Sequence, residues 1–285
     1  MTGVERRPRV SVIVPFHDAE RWIDVGVRAL LAQDFPPERH EIVMVDNAST
    51  DRSADVVRRH PRIRLLGEAT PGSYAARNRG LAVARGEIVA FTDADCAPRA
   101  DWLRAIDEAF RDPAVALVMG GRRLGSESVG LAVLADYEAQ KAAHTLASDE
   151  KKAYYGYTNN LAVRRDVVDR VGAFVGLRRG ADVVFVHRVL DAYGCDAVRY
   201  APRMVVRHLE IASVRDWWRK MRIYGRSSRT YGPLARSRPL HTSERLKVFR
   251  ETTRRGRYPL ARSLLLLLIL AVGVLYYELG RRSRR

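Results

Sequence analysis

The sequence predicts an α/β protein: a mixed, mostly parallel sheet flanked by helices, with a helical, membrane-associating tail at its C-terminal end. Three observations carry this. Short β-branched apolar runs alternate with helical patterns through the N-terminal part, the signature of strands joined by crossover helices. A chain of 285 residues with 47% hydrophobic content can bury the core of one large domain and still carry an appendage. The charge is segregated as well. From Arg203 onward 21 Lys+Arg face 5 Asp+Glu, a net of +16, so the remainder of the +17 chain is almost neutral.

Val10 to Pro15 reads as the first strand, closed by a proline that cannot continue a central strand. Arg21 to Ala32 follows as a helix with Trp22, Val25, Ala29 and Leu30 or Ala32 on one face. Glu41 to Asp46 is the second strand, and Ser53 caps a helix running to His60. Arg62 to Leu66 is the third strand, Ser73 to Ala84 a small-residue helix, and Glu87 to Thr92 the fourth strand. Ala100 to Phe110 is the next helix. Beyond it the pattern loosens: a strand over 116–122, a helix over 129–146, a short strand over 160–164 and a helix over 182–193. Ala197 to His208 holds one or two strands with Pro202 between them.

Ligands of such sheets bind beyond the carboxyl ends of the strands. The segments that fall there are Pro15 to Asp18, Asp46 to Asp51 and Asp93-Ala94-Asp95, and all three carry carboxylates. A pair of aspartates one residue apart at a strand end suits Mn²⁺ or Mg²⁺ bridging a diphosphate, since both ions prefer oxygen ligands. The blander role of Asp46 and Asp51 is turn and cap chemistry.

The runs Ser11-Val12-Ile13-Val14-Pro15, Val45-Asp46-Asn47-Ala48-Ser49-Thr50-Asp51, Ala75-Ala76-Arg77-Asn78-Arg79-Gly80 and Phe91-Thr92-Asp93-Ala94-Asp95, in this order, resemble the family 2 glycosyltransferases. The likeness is dense from Val10 to Trp102 and thinner to about His208. It implies the GT-A fold, a Rossmann-like mixed sheet, and inverting, metal-dependent transfer of a sugar from a nucleoside-diphosphate donor. It also implies a donor pocket built by Pro15, Phe16, Asp18, Asp46, Asn47, Arg77, Asp93 and Ala94. Metal ligation would fall to Asp93 and Asp95, with His208 as a third ligand. The family's usual polar residues after the strand-one proline are replaced here by Phe16-His17-Asp18. Gly180-Ala181-Asp182 resembles the place of the family's catalytic base, which makes Asp182 the candidate; its alternative is a helix N-cap. Tyr155-Gly156-Tyr157 resembles the border of the acceptor pocket. Trp217-Trp218-Arg219 lies where chain-synthesising relatives carry Gln-x-x-Arg-Trp, absent here, which implies a non-processive enzyme.

The expected organisation is a catalytic domain over 1–210, with a nucleotide-sugar half to about 110 and an acceptor half from 111. A basic amphipathic helical segment follows over 211–258, then a hydrophobic helix with arginine flanks over 259–285 as membrane anchor. Ser263 to Tyr277 is uncharged and leucine-rich, shorter than the roughly 20 residues that span a bilayer comfortably, so a short span and an interfacial helix both remain open. Cys96 and Cys195 stand far apart, and the polar start Val4-Glu5-Arg6 does not read as a signal peptide. Together these place the enzyme on the cytoplasmic face of the cell membrane. Expected partners are a UDP-sugar or GDP-sugar donor, a glycan or polyprenyl-linked acceptor, and anionic lipids. A nucleotidyltransferase would need a glycine-rich basic loop after strand one. A nucleic-acid-binding tail would not carry a leucine run. A non-catalytic sugar-nucleotide binder would not need Asp93, Asp95 and Asp182 together.

Overall fold

The computed structural model describes residues 7–283, so the polar start at 4–6 and the terminal arginines 284 and 285 lie outside the described residues. Eight strands, β1 (Val10–Phe16), β2 (His40–Asp46), β3 (Ile63–Gly67), β4 (Ile88–Thr92), β5 (Cys96–Pro98), β6 (Leu117–Leu124), β7 (Asn160–Arg164) and β8 (Val198–His208), form one sheet. Its order is β3-β2-β1-β4-β7-β6-β8-β5. Pairings among β3, β2, β1 and β4 are parallel, as is β6 with β8, whereas β7 runs antiparallel to both neighbours and β5 antiparallel to β8.

Alternation along the buried strands feeds two cores. Val10, Val12 and Val14 of β1 face α1 (Ile23–Leu31) and α4 (Trp102–Ala109), while Ile13 turns the other way. There it meets α3 (Ser73–Leu81) and α7 (Ala181–Tyr193). The remaining helices are α2 (Ser53–Arg58), α5 (Val129–Thr145), α6 (Arg165–Val171), α8 (Val214–Ala235), α9 (Thr242–Arg255) and α10 (Leu260–Arg282).

Several expectations are corrected. Pro15 does not end β1, which continues to Phe16 opposite Asp46. The buried face of α1 is Ile23, Gly26, Val27 and Leu30, with Val25 40% exposed. Leu30 lies on the expected face, whereas Ile23, Gly26 and Val27 take the buried places expected of Trp22, Val25 and Ala29. Ser53 is the first residue of α2 rather than its cap; Asp51 accepts its N–H at 2.9 Å. Val198–His208 is one strand, and a register shift against β6 absorbs Pro202 and its neighbours. The basic stretch 226–258 is helical for most of its length, because α8 extends to Ala235 and α9 follows. Apolar side chains of α8, α9 and α10 join α5 in a core of their own, with Leu131, Leu134, Trp217, Val248, Leu266 and Ile269 at its centre.

The bulge is held by one buried amide. Asn160 accepts from the Trp102 indole N–H at 2.8 Å and donates to the carbonyls of Gly121 and Met204 at 2.7 and 2.9 Å. Asn160→Ala leaves three buried polar groups without partners, so stability should fall by about 2–4 kcal/mol. Urea denaturation followed by circular dichroism measures this, and a midpoint equal to wild type would contradict the clamp.

Candidate active site

Because β2, β1 and β4 are adjacent and parallel, Asp46, Phe16 and Thr92 end side by side, and the loops beyond them meet at one edge. The two loops after β1 and β2 are knitted together. Asp18 Oδ1 accepts the Thr50 N–H at 2.7 Å, the main reason its carboxylate stays below the usual range. Asp18 and Ala48 both adopt left-handed backbone conformations, with φ of 46° and 58°. Asp46 Oδ1 accepts from the Ser49 N–H at 2.9 Å, and Asp51 accepts from the Glu20 and Ser53 N–H groups, so the turn chemistry of both is present. Asn47 is spent on scaffold contacts: its amide donates to the carbonyls of Glu68 and Thr70 and accepts from the Gly72 N–H. Pro15 and Phe16 are buried at the end of β1.

Next to this edge, β4 delivers Asp93-Ala94-Asp95. Arg77, buried on α3, donates to Asp93 Oδ1 and lies over the Tyr74 ring at 5.3 Å. Its Nε is buried without a partner. Ala94 is buried against α1, where its carbonyl faces Gly26. β5 pairs Cys96 with His208, which brings the histidine to Asp95: His208 Nε2 lies 3.4 Å from Asp95 Oδ2. Burial holds the imidazole down to about 4. Burial, the neighbouring Asp93 charge and Glu210 push the Asp95 carboxyl up to about 7. Near neutral pH this contact is therefore a neutral imidazole beside a half-protonated carboxyl rather than an ion pair.

The donor atoms of Asp95, Cys96 and His208 all lie within 4.8 Å of one another. Burial raises the Cys96 thiol well above its ordinary range, so it remains a neutral S–H beside Asp95. That leaves carboxylate oxygen and imidazole as ligands, a set suited to Mn²⁺ or Mg²⁺. Among the described residues His208 Nδ1 is buried without a hydrogen-bond partner, and burial raises the proton affinity of the Asp95 carboxyl. Both observations fit a cation.

Across the cleft, Gly180 turns the chain into α7 at φ 83°, and Asp182 is the second helical residue. It is not an N-cap. Its carboxylate is raised by burial and accepts from the Tyr74 hydroxyl, with Arg77 opposing the rise and Asp93 adding to it. A carboxylate with raised proton affinity, oriented by a neighbouring hydroxyl, has the properties of a general base. Tyr154 and Tyr157 are core residues, the latter donating to the Gly120 carbonyl at 2.7 Å. Tyr155 lines the cleft with Lys141 Nζ 5.3 Å from its ring centre.

Several cleft residues escaped the sequence reading. Tyr74 sits three residues before Arg77 on the same helical face, which was a usable signal. Lys220 pairs with Glu210 at 2.6 Å, and Glu210 in turn helps to raise the Asp95 carboxyl. Lys220, Tyr224 and Tyr231 belong to α8, which forms one wall of the cleft; no local pattern announces that. The cleft has a volume of about 1160 Å³ and runs from Asp93, Asp95, Asp182 and His208 to Leu267, Leu270 and Val274 of α10. A smaller cavity of about 790 Å³ beside Arg85 and Arg165 lies at the opposite edge of the sheet, away from these groups.

Metal affinity should track the ionisation of Asp95. A cation competes with its proton, so binding weakens as pH falls through about 7. Titration calorimetry with Mn²⁺ should give an affinity about tenfold higher at pH 8 than at pH 6. A pH-independent affinity would remove Asp95 from the ligand set.

Residues 11–185 match the model of glycosyl transferase family 2. The chain is 32% identical over 191 residues to the glycosyltransferase AglE of Haloferax volcanii, covering 65% of this chain and 62% of that protein. It is 32% identical over 212 residues to the pre-mycofactocin glycosyltransferase of Mycobacterium tuberculosis, covering 71% of this chain and 44% of that one. The chain thus spans under two thirds of the length of either relative. Among solved structures, the mannosyltransferase PcManGT of Pyrobaculum calidifontis, in complex with GDP-Man and Mn²⁺, superposes with a TM-score of 0.61 at 24% identity. That likeness covers 94% of this chain and 74% of PcManGT. Glucosyl-3-phosphoglycerate synthase of Mycobacterium tuberculosis, with Mn²⁺, UDP-glucose and glycerol 3-phosphate, gives a TM-score of 0.52 at 20% identity, covering 71% and 72%. These two establish the GT-A-like fold. The chain belongs to glycosyl transferase family 2.

Proposed function

We propose that the enzyme transfers a sugar, with inversion and one residue at a time, from a UDP-sugar or GDP-sugar to a hydroxyl of a glycan or polyprenyl-linked acceptor. The observation that carries this reading is the meeting of Asp93, Asp95 and His208 with Asp182 in a single cleft. UDP-linked and GDP-linked sugars are the donors bound by the structural neighbours.

In this reading the loops after β1 and β2 receive the nucleoside, with Asp46 accepting from the base through its free Oδ2. Arg77 lies beside the diphosphate, its unpartnered Nε available as a donor. Asp95, His208 and Asp93 hold the divalent ion, which when bound supplies a Lewis acid against the charge on the leaving diphosphate. Asp182 takes the proton of the acceptor hydroxyl as that oxygen attacks the anomeric carbon, and Tyr74 keeps the carboxylate aimed. The apolar wall of α10 at the far end of the cleft supports a lipid-linked acceptor. α10 is also long and apolar enough to cross a membrane. We place the enzyme at the cytoplasmic face of the cell membrane, attached through this segment and its basic flanks to anionic lipids.

Two measurements test the assignment. UDP or GDP with Mn²⁺ should raise the melting temperature, and EDTA should abolish the rise. Asp182→Asn should keep that shift while lowering kcat by about 10²–10⁴-fold. Loss of both together would make Asp182 a binding or structural residue, and a protein indifferent to every nucleoside diphosphate would overturn the donor site.

A further inference from the structure

Two helices at the C-terminal end run side by side in the same direction. The Trp217 ring of α8 covers Gly273 of α10, the Arg222 carbonyl meets Gly280, and Gly225 meets the Tyr277 carbonyl. A Cβ at Gly225 or Gly280 would overlap the opposing backbone, so the two helices touch closely through these glycines. Trp218 donates its indole N–H to the Ile269 carbonyl at 3.0 Å, and Arg229 donates to the Ser283 carbonyl at 3.1 Å. The first half of α10 is equally bound to the catalytic body. Leu266 and Ile269 pack with Leu131 and Leu134 of α5, and the Tyr258 hydroxyl just before α10 donates to Asp136 of α5 at 2.6 Å.

What each helix leaves outside differs sharply. On α10, Leu260, Leu264, Leu268, Leu275 and Leu279 are between 49% and 76% exposed. Their spacings of four and seven residues set them on one face. On α8 the exposed stripe at positions 215, 219, 222, 226 and 229 is entirely arginine. Among the described residues, Arg219 alone of the five forms an ion pair with a carboxylate, Asp216.

We propose that α10 does not cross the bilayer but lies flat on an anionic membrane surface, its leucine face in the acyl boundary and the neighbouring arginines on lipid phosphates. This rests on the membrane attachment proposed above and decides its geometry. Residues 263–280 of α10 would cover about 27 Å at 1.5 Å per residue, so length alone permits a span. The partner does not. If α10 stood upright, α8 would be carried into the hydrocarbon alongside it with Lys220, Arg222, Arg226 and Arg229, each costly at that depth. An isolated α10 is apolar all round, with a mean hydropathy of 2.1 over its most apolar window. The α8–α10 pair is amphipathic as a unit, because α8 supplies the charged side that an interfacial helix requires. Exposed Arg262 at one end and Arg281 and Arg282 at the other hold both ends of α10 at headgroup level.

The test combines binding and sidedness, using the full chain. It should co-sediment with phosphatidylcholine vesicles containing phosphatidylglycerol, more weakly as salt rises. Leu268→Asp with Leu275→Asp, neither of which lines the cleft, should weaken this at least tenfold while donor hydrolysis and the circular dichroism spectrum stay as in wild type. In a Cys195→Ser background, Thr242→Cys and Ser283→Cys are then probed with a membrane-impermeant maleimide in inverted and right-side-out vesicles from expressing cells. Both positions should label in inverted vesicles only. Labelling of position 242 in one preparation and 283 in the other would show that α10 spans, overturning the flat geometry but leaving attachment intact. Failure to bind any vesicle, with a dimer that the leucine substitutions dissociate, would overturn the attachment itself and assign the leucine face to a second copy of the chain.

Discussion

Everything at the centre of this molecule answers to one constraint: several carboxylates must share a half-dry cleft. Asp93, Asp95, Asp182 and Glu210 repel one another there, and burial strips away the water that would screen them. The fold meets the problem three ways. Arg77 is buried directly against Asp93. Lys220 reaches in from α8 to Glu210. Asp95, left with the least compensation, keeps a proton. A diphosphate with its cation would change each of these terms, and that incompleteness is what distinguishes a ligand site from a structural ion-pair network.

The legible part of the fold was the part encoded locally. Strands β1, β2 and β4 are β-branched runs whose ends carry the site residues, and the order of the motifs foretold their adjacency. Asp95 could be singled out because it stands at the end of a strand, whereas Asp182 was reached through the resemblance of Gly180-Ala181-Asp182 to the family's base position. The illegible parts depend on contacts distant in sequence. β5 is three residues long and exists because β8 pairs with it, so the approach of Cys96 to His208 has no local sign. The hydroxyl that orients Asp182 comes from Tyr74, more than a hundred positions earlier. Asn47, plausible as a ligand contact, instead secures the 68–72 loop because its amide meets three backbone groups there. In α1 the sequence puts Leu30 on the buried face, but apolar Val25 and Ala29 on another side of the short helix blur the rest of the stripe.

The strong positive charge likewise has two meanings that composition cannot separate. In α8 the same helix turns Lys220, Tyr224 and Tyr231 into the cleft and an arginine row outward. Trp217 and Trp218 place their rings on α10. Gly180 shows the other side of this arrangement: a Cβ there would run into the Tyr231 ring, so the loop before Asp182 is shaped to accept α8.

α8 is therefore shared between two tasks, and its rigidity follows from both. Toward the sheet it contributes the cation that balances Glu210 and, through it, Asp95. Toward α10 it is fixed by glycine-mediated contact that leaves little room to slide. The outer face of α10 and the carboxylates at the end of β4 are thus joined by a single packed helix. Its two faces have incompatible solvents, which is why the sequence of α8 alternates between aromatic, small and basic residues rather than repeating one apolar stripe.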